Sequence, residues 1–139
     1  MKSIRFALAF GLVILISACG EIFGPTYRSQ LGYIDQTFSQ PISIPDSVAA
    51  KTDFTVSFRT SGGGCMKQGD TKVAMIDSRT AEIRPYDDRV VNPTSCTANI
   101  EFYSHTATLR FAQSGNATVR LISAYNDSTI TITRTVVVR

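Results

Sequence analysis

Three cysteines and one histidine carry the most reactive chemistry in this sequence. Cys65 and Cys96 could act as thiolate nucleophiles, but a nucleophilic thiolate needs a base, and only His105 could serve as a histidine base. Histidine-bearing zinc sites would need both cysteines unbridged, or carboxylates recruited from distant loops. If the two cysteines instead form a disulfide, no thiolate remains to react. We then expect both to be structural and His105 to lie partly exposed at the start of a strand.

The acidic and glycine-rich segments point to no stronger site. Residues 61–65 lack the Gly-Lys-Ser/Thr ending of a phosphate-binding loop, and no helix is predicted after them. The loop aspartates do not follow the spacing of a calcium-binding loop. The glutamates fall at outward-facing positions of the predicted strands, where acidic residues usually contribute to solubility and not to a paired carboxylate site. We therefore expect no metal, no cofactor and no catalytic residue. The acids considered are Asp70, Asp77, Asp87, Asp88, Glu82 and Glu101, and the tyrosines considered for sugar stacking are Tyr27, Tyr33, Tyr86, Tyr103 and Tyr125.

The first 18 residues have the layout of an export signal. Lys2 and Arg5 give a positive start, and residues 6–16 follow without a polar side chain. This apolar run suits a signal peptide and is too short for a transmembrane helix, which needs about 20 residues. We predict that residues 1–18 are a signal peptide that is removed.

Residues 16–19, Ile-Ser-Ala-Cys, resemble the lipobox of bacterial lipoproteins. The resemblance implies cleavage before Cys19, lipid chains on that cysteine, and a membrane as the partner of the N-terminus. Gly20 follows the cysteine in place of the Asp that favours inner-membrane retention in many such proteins, so the outer membrane is favoured. Residues 19–30 would then be the lipidated cysteine and a tether. The alternative is an ordinary signal peptidase site followed by a free cysteine.

The rest of the chain has the size of one domain. Beyond residue 18 the basic and acidic side chains nearly balance, so no basic patch predicts a nucleic-acid partner. In an exported chain, the two cysteines left after Cys19 form an even pair. We therefore predict a disulfide between Cys65 and Cys96.

Alternating apolar residues predict strands throughout this domain, and no helical period appears after the signal. The strongest pattern places Phe54, Val56 and Phe58 on one face. Residues 100–103 fit either a short strand or a helical turn, residues 87–99 are predicted to be a loop, and Pro85 is expected near a strand end. Arg134 interrupts an apolar face, which predicts a bulge or local exposure. The other predicted strands span 31–35, 40–46, 72–77, 80–86, 105–111, 117–125 and 129–139.

About seven to eight short strands predict an all-β, antiparallel β-sandwich over residues 31–139. Residues 44–48, 54–65, 105–111 and 135–139, with Cys96, resemble bacterial lipoproteins that carry one immunoglobulin-like domain. That resemblance implies fold and location and transfers no catalytic residues. We expect an envelope-anchored structural or protein-interaction module that is not an enzyme. The alternative is binding of a small ligand or glycan at the end of the domain that Cys65 and Cys96 join.

Overall fold

The computed structural model describes residues 24–35 and 41–139, and within these ranges it is all-β, with no helix. The all-β prediction is thus confirmed. In this part of the chain there is no helix of the length and apolarity that a membrane span requires. The strands are β1 (Tyr27–Leu31), β2 (Tyr33–Ile34), β3 (Ile42–Ser43), β4 (Ser47–Val48), β5 (Phe54–Gly63), β6 (Met66–Met75), β7 (Thr80–Val90), β8 (Ile100–Leu109), β9 (Gly115–Tyr125) and β10 (Ser128–Val138).

All ten strands belong to one mixed, strongly curled half-barrel sheet. One limb is the antiparallel pair β5 and β8, and the other contains β10, β9, β7 and β6 in that order. The short strand β2 joins the limbs because Tyr33 pairs with both Ser61 of β5 and Ala124 of β9. The curl brings the inner faces of the two limbs together around a core.

The expectation of purely antiparallel pairing is wrong at three places. Strand β9 runs parallel to β7 and to β2, and β10 runs parallel to β4. The first of these pairings follows from the chain path. Strand β8, which lies between β7 and β9 in sequence, pairs with β5 in the other limb, so β9 returns beside β7 in the same direction.

The core is built from the inward-facing residues of the long strands. In β5 these are Phe54, Val56 and Phe58, as their spacing predicts, and Phe54 packs against Phe111 with ring centroids 5.9 Å apart. Burial of such side chains is the main favourable term in folding. The other core residues are Ile34, Ile42, Ala81, Ile83, Ala107, Leu109, Ala117, Val119, Leu121, Val136 and Val138.

Several strands extend beyond their predicted bounds, among them β6, which begins at Met66 and not at residue 72. Strand β7 continues to Val90 and takes in the start of the predicted 87–99 loop, and β5 continues to Gly63 through part of the glycine-rich segment 61–65. Residues 100–103 belong to β8, which settles the choice between strand and helical turn. Strand β7 persists through its acidic residues because Asp87 points inward and has a hydrogen-bond partner there.

The irregularity of the sheet lies in β6 and not in β10. The register of β10 with β9 runs without a shift past Arg134, so no bulge forms there, and the long arginine side chain stays partly exposed. In β6 the register shifts between Gln68 and Thr71, next to Pro85. Pro85 lies within β7 and not at its end. Since proline has no N–H to donate, a bulge in the neighbouring strand is a place where it is tolerated.

The N-terminal predictions fall mostly outside the described residues. Residues 1–18, Cys19 and the first part of the proposed tether belong to this group. Residues 27–30, predicted as tether, are part of β1, which pairs with β7. The sheet therefore starts before residue 31.

Candidate functional site

The predicted disulfide between Cys65 and Cys96 is confirmed. Cys65 lies in the turn from β5 to β6, and Cys96 lies in the connection from β7 to β8, at a sequence separation of 31. The carbonyl oxygen of Cys65 also accepts a hydrogen bond from the N–H of Val90 at 2.9 Å. The bridge therefore fixes residues 91–99, which lack regular secondary structure, against the end of β5. It also leaves neither cysteine a thiol for catalysis.

A groove of about 380 Å³ opens beside this bridge, and we call it the disulfide-end groove. Tyr33 lies opposite Ser61 in the β2–β5 pairing, and Gly63 lies opposite Ile100 in the β5–β8 pairing. Residues directly opposite in adjacent strands point to the same face. The small residues of β5 thus form a floor between the larger side chains. The groove is lined by Tyr33, Ser61, Gly62, Gly63, Thr97, Ala98, Asn99 and Ile100.

Gly64 explains how closely the 91–99 connection approaches this floor. A Cβ atom on Gly64 would lie 2.8 Å from Oδ1 of Asn99 and 2.9 Å from Cβ of Thr97. Both distances are too short for ordinary contacts. The glycine therefore lets the connection pack directly on the turn that carries Cys65.

Two large apolar side chains stand exposed on the same outer face. Ile100 is 71% exposed and Phe102 is 49% exposed. The guanidinium of Arg59 lies 4.2 Å from the ring centroid of Phe102, and Nη2 of Arg59 is 2.6 Å from Oδ2 of Asp35, which is almost fully buried. This ion pair holds the guanidinium over the ring, where cation–π attraction is favourable. Phe102 is thus both exposed and held in place.

A second, smaller hollow of about 280 Å³ lies further along the same face of β5 and β8. Asp35 and Arg59 line it together with hydroxyl side chains from both strands. Its lining residues are Asp35, Pro41, Ser43, Ser57, Phe58, Arg59, Ser104, His105 and Thr106.

A polar cluster is buried inside the same end of the half-barrel. Nε2 of His105 lies 3.1 Å from Oδ1 of Asp87 and 3.1 Å from Oγ1 of Thr60, and Nδ1 lies 2.9 Å from Oγ1 of Thr71. The His105 ring stacks on Phe58 at an interplanar angle of 3°. The expectation of a partly exposed His105 at a strand start is therefore wrong. It lies inside β8, on the inward face that Tyr103 and Ala107 share.

The order Asp87, His105, Thr71 joins a carboxylate, an imidazole and a hydroxyl, which is also the order of groups in a catalytic triad. The side chains of His105 and Asp87 are both 0% exposed, however, so a substrate cannot reach either one. The hydroxyl of Thr71 can donate to a neutral Nδ1 or accept from a protonated one. The geometry therefore fits a structural hydrogen-bond network and not a catalytic site.

One atom of this cluster lacks a partner. Among the described residues, Oδ2 of Asp87 is buried without a hydrogen bond. A Cβ atom on Gly32 would lie 2.5 Å from this oxygen and 2.8 Å from Cγ2 of Thr60, so only glycine fits at that position. Because Oδ2 has no donor, His105 is the main stabilising partner of the buried carboxylate.

Tyr103 closes the side of the half-barrel where β8 approaches β6. Its hydroxyl donates to the carbonyl oxygen of Met66 at 2.9 Å. Burial, and then the nearby carboxylates of Glu101 and Asp87, raise the pKa of Tyr103 above its usual range near 10. Of the five tyrosines considered for sugar stacking, this one is therefore a structural donor.

The other candidate residues are dispersed. Of the five tyrosines, Tyr33 alone lines the groove. Nζ of Lys67 lies 3.7 Å from the ring centroid of Tyr27, and Nζ of Lys72 lies 4.9 Å from that of Tyr86. Asp77 is exposed, and the backbone N–H of Arg79 lowers its pKa by donating to its carboxylate. In the described part of the chain, no three histidine, cysteine, aspartate or glutamate side chains are grouped to hold a metal ion.

Two features of this end escape prediction from the sequence alone. The sequence around Ile100 and Phe102 does not distinguish strand from helix, yet their spacing in β8 places both on the outer face, away from Tyr103 and His105. The Asp87–His105 contact joins two strands that do not pair in the sheet, so no local pattern reveals it.

No protein-family model matches this sequence, and neither a curated protein nor a solved structure does.

Proposed function

We propose that this chain is a lipid-anchored envelope protein whose β domain is a protein-interaction module, with the disulfide-end groove as its binding surface. The observation that carries the proposal is the groove beside the Cys65–Cys96 bridge, with Ile100 71% exposed on its wall. Exposed apolar side chains that share a face and have a polar rim are typical of binding sites. The bridge adds preorganisation, because a loop that is already fixed loses less entropy on binding.

We propose that the half-barrel is a variant of the immunoglobulin-like fold. The antiparallel pairs β5–β8 and β9–β10 correspond to the B–E and F–G neighbours of that fold. The chain departs from it where β7 runs parallel beside β9, a position that an antiparallel C strand takes in immunoglobulin domains. The departure places Asp87 of β7 near His105 of β8 inside the half-barrel.

The anchor is proposed to be lipid on Cys19, in the outer membrane. Replacing Cys19 with alanine should release the domain into the soluble fraction, since several acyl chains hold a protein on a bilayer and an unmodified tether does not. Membrane flotation of the wild-type and Cys19→Ala chains measures this difference. Equal flotation of both would show that lipid on Cys19 is not the anchor.

We propose a non-enzymatic role because the side chains that could act in catalysis are not accessible to a substrate. Cys65 and Cys96 are bonded to each other, and the imidazole and carboxylate of the buried cluster are out of reach of solvent. Binding of a partner needs neither group. The accessible chemistry of this end is apolar contact through Ile100 and Phe102 and hydrogen bonding through Thr97 and Asn99.

Occupation of the groove can be tested with a variant that fills it. A Cβ atom on Gly63 has no neighbour within 4 Å, so Gly63→Leu should fold normally while its side chain blocks the floor. With a photo-crosslinking residue at position 100, envelopes should yield one discrete crosslinked species. Gly63→Leu should reduce its yield at least about tenfold, the effect of losing about 1.4 kcal/mol of binding.

The control for this experiment is a photo-crosslinking residue at Val137, which is exposed on β10. That position should not give the same species, with or without Gly63→Leu. An identical species from both positions, or one insensitive to Gly63→Leu, would contradict binding in the groove.

A glycan is the second candidate occupant, favoured by one observation. Tyr33, Thr97 and Asn99 line the same groove, and an aromatic residue beside hydroxyl- and amide-bearing residues suits a sugar. Sedimentation of the purified protein with isolated cell-wall sacculi tests this candidate. Co-sedimentation that Gly63→Leu abolishes would identify the polymer as the ligand in place of a protein.

A further inference from the structure

Strand β10 has one edge that the described strands leave almost uncovered. On one side it pairs with β9 along its whole length, and on the other only β4 pairs with it, at Val137 and Val138. The N–H groups of Val137 and Arg139 donate toward β4, to Asp46 and Val48. Since backbone groups alternate in direction along a strand, the odd-numbered residues 129–135 also point their N–H and C=O groups to this open side.

All four of these odd-numbered residues are threonines with exposed side chains, at positions 129, 131, 133 and 135. Between them, Ile130 and Ile132 lie on the inner face, partly buried against the core. Among the described residues, the open side of β10 is thus a run of backbone donors and acceptors that no strand pairs, with β-branched residues on both faces. Such an edge is a template for one more strand.

The usual protections against strand addition are missing here. Strand β6, which is also at an edge, carries a bulge after Gln68 and the charged residues Lys67, Asp70 and Lys72. Between residues 128 and 136, β10 has no proline, no bulge and only one charged residue, Arg134. Natural proteins protect open edges with such features unless the edge is used.

We propose that this edge pairs antiparallel with β10 of a second copy of this chain. In the register that places Thr131 opposite Thr131 of the other copy, Thr129 lies opposite Thr133, and each of these pairs exchanges backbone hydrogen bonds. In the same register, Ile130 of each copy lies opposite Ile132 of the other copy. This pairing covers the partly exposed side chains of both isoleucines. Arg134 then lies opposite Ser128, so the two arginines do not oppose each other.

A second copy fits because the edge is complementary to itself under a two-fold axis through Thr131. The hydrogen-bonded pairs 129–133 and 131–131 are threonine with threonine, and the two central inner-face pairs are isoleucine with isoleucine. Such an isologous contact closes at two copies. A pairing of about seven residues is smaller than a standard stable interface, so the association is weak and needs a high local concentration. It uses a different surface from the groove and does not depend on the proposed function.

The register can be tested by disulfide trapping in membranes that carry the full chain. Opposite residues in a hydrogen-bonded antiparallel pair have Cα atoms about 5.5 Å apart, within the range of a disulfide. Thr131→Cys should therefore give a disulfide dimer on mild oxidation. Thr129→Cys should not, because two copies of residue 129 would be about 14 Å apart. When Thr129→Cys and Thr133→Cys chains are expressed together, they should form a mixed dimer.

A proline at position 131 supplies a second, independent test. The N–H of Thr131 points away from β9, so Thr131→Pro should leave the β9–β10 ladder intact and remove a donor from the open edge. Added to both chains of the mixed pair, it should reduce the dimer at least about tenfold, whereas Thr131→Val should not. Absence of a Thr131→Cys dimer, equal trapping at 129 and 131, or a mixed dimer unaffected by Thr131→Pro would each overturn the proposal. Trapping of another protein in place of a second copy would also overturn it.

Discussion

Replacing His105 with phenylalanine should lower the free energy of unfolding by about 3 kcal/mol, because it leaves the buried side chain of Asp87 without a hydrogen-bond partner. Phenylalanine can keep the stacking on Phe58, whose ring centroid is 5.6 Å from that of His105. The loss is therefore polar, because Oδ1 of Asp87 loses its donor while Oδ2 already has none. Urea unfolding followed by circular dichroism measures the difference.

The control is a double-mutant cycle with Asp87→Asn, which keeps the shape of the side chain and removes its charge. In the double variant no buried carboxylate remains, so it should be more stable than His105→Phe alone by about 1–2 kcal/mol. Recovery is partial because the hydroxyls of Thr60 and Thr71 still lose their partner. Strictly additive effects of the two replacements would contradict the direct coupling of Asp87 and His105.

Removing the disulfide with Cys65→Ser and Cys96→Ser should lower the free energy of unfolding by about 3–4 kcal/mol, the loop-closure value for a separation of 31 residues. Much of this effect arises in the unfolded chain, where the bridge restricts the conformations available. The same variant should loosen residues 91–99, because the bridge and the Gly64 contact hold them against β5. Thermal unfolding and amide hydrogen exchange measure the two effects separately.

A matched control is wild-type protein under reducing conditions, which should show the same loss of stability as the serine variant. If the serine variant keeps wild-type protection at residues 97–99, packing alone fixes the connection. The bridge would then add stability without shaping the groove.

The sequence was informative where burial follows a strict local pattern. The alternation of Phe54, Val56 and Phe58 predicted a core strand because one face of β5 is buried along its length. The Cys65–Cys96 pairing is predicted from the two cysteines that remain beside Cys19, if the chain is exported as its first 18 residues predict. Both inferences need only local pattern or counting.

It was less informative where distant strands decide the outcome. The polar segment 87–99 predicts that Asp87 lies in a loop, but His105, from a strand that does not pair with β7, makes its burial possible. The parallel neighbours of β9 and the absence of a bulge at Arg134 also depend on how the sheet curls. Ile100 and Phe102 can be assigned to the outer face only when residues 100–109 are known to form a strand, because alternate residues of a strand point to opposite faces.

The most direct test of the central claim is the accessibility of the groove in the intact envelope. Ile100→Cys should react quickly with a maleimide in purified protein, since residue 100 is largely exposed. It should react at least about tenfold more slowly in envelopes, where we propose that a partner covers it. Val137→Cys, also exposed, is the control for general shielding and should react at similar rates in both preparations. Slower labelling at 100 alone is the result we predict. Equal labelling of Ile100→Cys in purified protein and in envelopes would contradict the groove as a binding surface.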